Sequence, residues 1–397
     1  MRTVLKNGIV ITPIRTIKNG GIVIEEGKIV SIFDKNTDIK FDELDKVIDV
    51  RGHYISPGFI DIHSHGGFGY DYLDGTVESI VKASEGHMKY GATSIVPTIS
   101  SAPLEKMLSV LDSFKEAKKR VESGPNLLGI HLEGPYFSLE EKGAQDPKII
   151  RKPNKEEYMK ILNYSNDILR WSIAPEVEGA LELGKILTER GILCAAGHTN
   201  ALCEDMFKAY ENGFTHITHL YSSTSTVRRI NAFRYSGVVE SAYLIDEMTV
   251  EIIADGKHLP ESLLKLVYKI KGPDKICLIT DSIRAAGLPE GEYTRPDGRK
   301  FVVEDGVAKL IDRTSFAGSV ATVDRLLITM TNIADVSLQD SIKMLTITPA
   351  RIMKIEKYKG LLAPGKDADI VVFNDDFKMQ LVMVNGNIRF NNISNTI

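Results

Sequence analysis

The stretch GFIDIHSH, residues 58–65, is a short apolar run between Pro57 and Gly66 that ends in two histidines. Four to eight apolar residues between turn signals, followed by a helix-period segment, read as a buried strand of a parallel sheet. The design recurs at Ser94 to Ile99, Leu127 to Glu133, Trp171 to Glu176, Ile192 to His198, Thr215 to Leu220, Val250 to Asp255 and Ile276 to Asp281. Helical segments such as 77–90, 103–122, 178–190 and 200–212 fall between them. Eight strand and helix units predict an α/β fold, a (β/α)8 TIM barrel, whose functional residues gather at the carboxyl ends of the strands.

Those ends carry the chemistry. His63 and His65 are two apart on one strand, so both project to the same face and can grip one ion. Glu133 ends the run LLGIHLE, where a carboxylate in a barrel mouth is expensive to leave unpaired. A cation explains it; the alternative, a cap on the next helix, is disfavoured because Gly134 and Pro135 delay any helix start. His198 and His219 follow ILCAAG and FTHIT. Imidazole with carboxylate suits zinc or divalent iron, whereas magnesium prefers oxygen alone. Asp281, after ICLIT, can bind a metal, take a proton from an attacking water and pass it to a leaving nitrogen, the acid–base work of amide hydrolysis. Its alternative is an N-cap. His131 shares the parity of Glu133 but lies deeper, a packing or supporting position. His216 is three before His219 and so is expected on the opposite side of its strand, while His53 and His87 read as structural or solvated.

Composition sets the bounds. A length of 397 residues fits one barrel plus a smaller unit. With 43% hydrophobic and 26% charged residues the chain has ample core. A net charge of −4 leaves no basic footprint, so no nucleic-acid partner is expected. No apolar run approaches the ~18 residues of a membrane span. The start, MRTVLKNGIV, lacks the layout of a signal peptide, so a cytoplasmic setting is expected. Cys194, Cys203 and Cys277 have no CxxC spacing and read as buried thiols. Both ends show short β patterns with turn signals, LKNGIVIT and GGIVIEEGKIVSIF near the start, ADIVVFNDDF and LVMVNGNIRF near the finish. Neither end alone buries a two-sided sheet. They are expected to pair into a small β-sandwich domain (1–56 plus 357–397) around a barrel of residues 57–356.

With His63-x-His65, Glu133, His198, His219 and Asp281 in this order, the chain resembles the amidohydrolase superfamily. It is most similar to the N-acetylglucosamine-6-phosphate deacetylase family. PGFIDIHSHG, HLEGPYFS with KGAQDP, AAGHTNA, THLY, IADGKHLP, LITDS and GLLAPGKDADIVVF carry the likeness, from Pro57 to Phe373. HLEGP and ADGxH are the more specific elements; His-x-His and PGKDADIV are shared across the superfamily. The resemblance implies that Glu133, His198 and His219 hold the common metal and that Asp281 is the catalytic acid–base. Some members lack the first histidine pair and use one ion, so His63 and His65 imply that one or two ions bind, with Glu133 as the bridge. It also implies substrate contacts from Ala144, Gln145, Ser222, Ser223, Arg234, Asp255, His258, Phe316, Ala317 and Gly318. In the family the counterparts of Arg234 and His258 contact phosphate from the neighbouring subunit, which implies a homodimer acting on an amino-sugar phosphate.

Two departures leave the sugar and acyl preference open. Many members have His where this chain has Gln145, and Asn-Ala-Met where it has Ser222, Ser223 and Thr224. Gln145 can donate to an acyl carbonyl through its amide. The stretch VRRINAFRYSG is more basic than a barrel loop needs, or else a solvated face. A cyclic amidase would want a bridging lysine after the fourth strand, which here ends Ala174-Pro175-Glu176. Deacetylation of N-acetylgalactosamine 6-phosphate is a second reading. The third is a non-catalytic scaffold, which would be expected to lose ligands that this chain keeps.

Overall fold

The structure, a computed structural model, describes residues 2–12, 14–37, 39, 42–121 and 123–393. Eight parallel strands form the barrel: β1 (Phe59–Ser64), β2 (Ala92–Ile99), β3 (Ile130–Glu133), β4 (Ile168–Ile173), β5 (Leu193–Ala196), β6 (Phe214–Ile217), β7 (Thr249–Ile253) and β8 (Ile276–Ile279). Each pairs with the next along the ladder. The seam between β8 and β1 is closed by backbone bonds: the Asp281 N–H donates to the His63 carbonyl at 2.9 Å, and the His65 and Gly66 N–H groups to the Ser282 carbonyl at 2.7 and 3.1 Å. Strands flanked on both sides and covered on both faces are buried along their whole length, and every residue of β1 and β2 is buried.

The expected helices are present as Val77–Met88, Leu104–Arg120, Ala180–Glu189 and Cys203–Glu211. The first starts where the Thr76 hydroxyl accepts from the Ser79 N–H at 3.0 Å, satisfying a donor that the helix leaves open. The strands are shorter than the apolar runs. β4 to β8 end at Ile173, Ala196, Ile217, Ile253 and Ile279, ahead of the polar residues expected to end them. The third run is split, since only Asn126–Leu127 and Ile130–Glu133 are strand. His198, His219 and Asp281 instead take left-handed backbone, φ 47°, 30° and 45°. The chain turns off the ladder at these residues.

Strands from the two ends make one eight-stranded sheet. Tyr54–Pro57 joins them, parallel to Thr3–Ile11 and antiparallel to Ile370–Phe373. Leu5, Ile22, Ile55, Ile370 and Leu381 share its core. One unit was not foreseen: a three-stranded antiparallel sheet, Gly291–Thr294, Lys300–Glu304 and Val307–Leu310, inserted after β8. It packs Phe301 and Val303 against Ile283 and Ala317 beside the barrel mouth. A hairpin, Arg228–Ile230 with Phe233–Tyr235, projects after β6. A hollow of 530 Å³ among Leu169, Ile192, Lys275 and Arg351 lies at the other, amino-terminal end. Two ion pairs line it, Arg351 with Asp274 at 2.8 Å and Lys275 with Glu247.

Candidate metal centre

At the carboxyl ends, His63, His65, Glu133, His198, His219 and Asp281 converge, and all six are buried. His63, His65 and Glu133 form one cluster and Glu133, His198 and His219 another, the ligand atoms of each within 4.8 Å of one another. Glu133 belongs to both. Its Oε1 lies 3.2 Å from His198 Nε2 and 3.1 Å from His219 Nε2. His63 Nε2 is 3.5 Å from the same oxygen, and His65 Nε2 is 3.5 Å from Oε2 and 3.1 Å from Asp281 Oδ1.

The outer ring nitrogens explain why the inner ones point this way. His198 Nδ1–H donates to the Glu141 carbonyl at 2.9 Å, and His219 Nδ1–H to the Ser222 carbonyl at 3.0 Å. His63 Nδ1–H donates to Glu251 at 3.1 Å, and His65 Nδ1 meets the Ser100 hydroxyl at 2.9 Å. A carbonyl or carboxylate accepts only, so each such bond leaves an Nε2 lone pair facing the centre. Lone pairs then face carboxylate oxygens, an arrangement favourable only around a cation or with protons on the rings. His63 registers that demand. Burial lowers its affinity for a proton, but Glu133 and Glu251, with the charge of Asp281, reverse this and lift its pKa to about 10. Burial likewise pushes Glu133 up, yet the charge on His65 and the bonds from His198, His219 and His63 hold it well below the carboxylate range. Asp281 is lowered against its own burial by His65, His63 and His219. The donor set fits a divalent cation.

Beneath this layer His131 donates or accepts between Ser172, at 2.7 Å, and Thr98, at 3.1 Å, with its ring 4.6 Å from that of His63. His87 is fully buried and holds the Gly66 carbonyl at 2.8 Å. His216 departs from expectation: it does not turn away from the site but lies 3.4 Å from Glu251, beneath the ligands. Counting side-chain parity from His216 to His219 fails because His219 has left the strand in left-handed backbone. Glu251 and Arg170, fully buried in β7 and β4, were missed by the sequence reading. A lone charge inside an apolar run, as in TVEII and ILRWSI, is the signal that marks them. Burial raises Glu251, but Arg170 beside it, with His216 and His63, holds it well below the usual range.

Above the ligands opens a cavity of 260 Å³ lined by Ala144, Gln145, Ser222, Ser223, His258 and the segment Phe316 to Gly318, among others. Asp255 supports it from behind, accepting from His258 Nδ1 at 2.8 Å and from the Lys257 and His258 N–H groups, each at 2.8 Å. Gln145 does not leave its amide free: Nε2 donates to Glu133 Oε2 at 2.7 Å and Oε1 accepts from the Ser101 N–H at 3.2 Å. Arg234 is absent from the cavity wall and exposed on the projecting hairpin. Arg295, just after the first strand of the inserted sheet, is a third residue not foreseen. It lines the cavity with Nη1 shut off from solvent and without a hydrogen-bond partner among the described residues.

The model of the amidohydrolase family matches residues 54–389. The N-acetylglucosamine-6-phosphate deacetylase of Bacillus subtilis (strain 168) is 32% identical over 97% of this chain and 96% of that protein. The N-acetylgalactosamine-6-phosphate deacetylase of Escherichia coli O157:H7 is 30% identical over 84% of this chain and 87% of that protein. A mutant N-acetyl-D-glucosamine-6-phosphate deacetylase from Mycobacterium smegmatis, solved with N-acetyl-D-glucosamine-6-phosphate, superposes with a TM-score of 0.90 at 26% identity, covering 98% of this chain and 100% of that one. The deacetylase of Thermotoga maritima gives 0.86 at 30% identity, over 98% and 99%. By its sequence, its barrel and its clustered ligands, the chain belongs to the amidohydrolase family, within the group of amino-sugar-phosphate deacetylases.

Proposed function

We propose that this protein hydrolyses the acetamide of N-acetylglucosamine 6-phosphate to glucosamine 6-phosphate and acetate, a step of amino-sugar catabolism. One observation carries the reading: Asp281, 3.1 Å from His65, stands at the floor of a cavity whose ligand histidines all turn Nε2 toward the shared Glu133. Glu133, His198 and His219 would hold a zinc or divalent iron ion, and His63 and His65 a second one. Such an ion supplies Lewis acidity toward the acyl oxygen and the attacking water. Asp281 takes the water proton and delivers it to the amine as the C–N bond breaks. The first product is acetate, the second the free amino sugar.

Phosphate recognition falls to His258, held by Asp255, and to Arg234 of a second copy in a homodimer. What supports the dimer is the projecting hairpin region, where Val227, Ile230, Phe233 and Tyr235 are exposed, Phe233 by 71%. Residues 1–56 with 357–397 would be the small β domain and 57–356 the barrel. No described helix is long and apolar enough to cross a membrane. A charged sugar phosphate is made and consumed in the cytoplasm, where this reading places the enzyme.

The departures at Gln145, Ser222 and Ser223 leave the sugar preference open, and the similarity to an N-acetylgalactosamine-6-phosphate deacetylase makes that epimer the alternative substrate. Acetate release should be measured on both N-acetyl hexosamine 6-phosphates and their unphosphorylated forms, with zinc and iron varied. Release from the glucosamine phosphate at the highest kcat/KM is expected. Release from neither sugar phosphate with any metal would overturn the reading.

A further inference from the structure

Arg170 spans the inside of the barrel. From β4 its Nη1 donates to the Ile62 carbonyl of β1 at 3.2 Å and pairs closely with Glu251 of β7, while Nη2 meets the Thr218 hydroxyl after β6 at 3.3 Å. Both partners are fully buried, where an unpaired charge is costly and a pair must earn its place by geometry. The other side of that pair faces the site. Glu251 Oε2 accepts from His63 Nδ1 at 3.1 Å and lies 3.4 Å from the backbone N–H of His219, so one carboxylate touches a ligand from each of the two clusters.

The two contacts are unequal. His219 has its own tautomer lock in the Ser222 carbonyl, 3.0 Å from Nδ1, and receives from Glu251 only a long backbone contact. His63 Nδ1 is instead held by Glu251 alone among the described residues. Without that acceptor the ring is free to carry its proton on Nε2, the atom that faces Glu133 and Asp281 at 3.5 and 3.4 Å. A proton there blocks a ligand.

We infer that Glu251 is a positioning residue for a second divalent cation. It holds His63 with Nε2 open toward the His63, His65 and Glu133 cluster, and Arg170 anchors Glu251 in turn. The inference rests on the two-ion form of the function proposed above.

Metal content and affinity test it directly, with zinc as the probe, elemental analysis for stoichiometry and chelator competition for affinity. The wild-type protein should bind two equivalents. Glu251→Gln can still accept from His63 but lacks the full charge, and the second equivalent should weaken about 10- to 100-fold, the range for partners that orient metal-bound histidines, with the first unchanged. Arg170→Met with Glu251→Leu replaces the buried pair by apolar residues, a change that folded proteins tolerate. That double variant should melt near wild type and retain one equivalent. Two equivalents at unchanged affinity in both variants would overturn the inference, as would equal weakening of both ions, which marks a merely structural pair. Wild type that takes up only one equivalent would overturn the two-ion reading and this inference together, whereas acetate release failing while two ions bind would touch only the reaction.

Discussion

Gln145 Nε2 donates to Glu133 Oε2 at 2.7 Å, on the carboxylate shared by both ligand clusters. One of the two amide N–H donors of Gln145 is therefore committed to the candidate ligand Glu133. Gln145→Leu removes that donor and should weaken zinc retention roughly tenfold or more. A chelator titration indistinguishable from wild type would show that the bond is incidental.

Asp281→Asn should keep the metal, because Glu133, His198 and His219 remain. It should lose the roughly 10²- to 10⁴-fold that a positioned acid–base group contributes. Near-normal kcat with full metal content would remove Asp281 from its assigned role.

Arg234 should matter only across a dimer. A charge-assisted contact to phosphate contributes roughly 1.5 to 3 kcal/mol, about ten- to hundredfold in affinity. Arg234→Ala should thus raise KM for the phosphorylated sugar far more than for its unphosphorylated form. Mixing it with Asp281→Asn subunits should restore about one working site of two, since both defects then fall on one composite site. Parent variants that never regain activity, despite demonstrated subunit exchange, would assign Arg234 to its own subunit.

Arg295→Met should raise KM for the sugar phosphate about ten- to hundredfold, on the same scale for a guanidinium bonded to an anionic or polar substrate group. The melting temperature should hold or rise, because Nη1 has no hydrogen-bond partner to lose among the described residues. An unchanged KM would mean that Arg295 is bystander to the substrate.

Acid should destabilise the fold through His87. Burial lowers its pKa from 6.5 to about 4, its Nε2–H being committed to Gly66 and its Nδ1 facing no hydrogen-bond partner among the described residues. The unfolded chain takes up a proton below 6.5 and the folded one resists, so this stability is complete above 6.5 and drains away as pH falls toward 4. The total is about 3 kcal/mol at ~1.4 kcal/mol per unit. Urea midpoints of wild type and His87→Gln should converge across that window. Parallel curves would exclude His87 as the cause.

The barrel was legible because strands buried on both faces write themselves as apolar runs at regular spacing, and the ligands because a histidine or carboxylate ending such a run has no packing reason to be there. What lay beyond the sequence has three physical causes. The partner of Glu251 is 81 residues away, and no local pattern joins a charge in TVEII to one in ILRWSI. The facing of His216 was lost because alternation stops where His219 adopts φ 30°. The sheet that carries Arg295 has amphipathic strands of four and five residues, too short to stand out from a polar loop. The small β domain was foreseen from its turns, yet the joining role of Tyr54–Pro57 emerges only from its pairing with both ends.

The seam of the barrel runs through the ligands themselves, by way of Asp281 N–H to His63 and His65 N–H to Ser282. Those contacts join positions 218 and 217 residues apart, and the hydroxyls of Ser64 and Ser282, 2.9 Å apart, join positions separated by 218. Contacts so distant in the chain form late, after the entropy of closing the intervening loop has been met. A nascent chain released only as far as β7 holds His63, His65, His198, His219 and Glu133 but neither Asp281 nor the closure that orients the first pair. The geometry of the site therefore exists only once the last barrel strand has docked against the first.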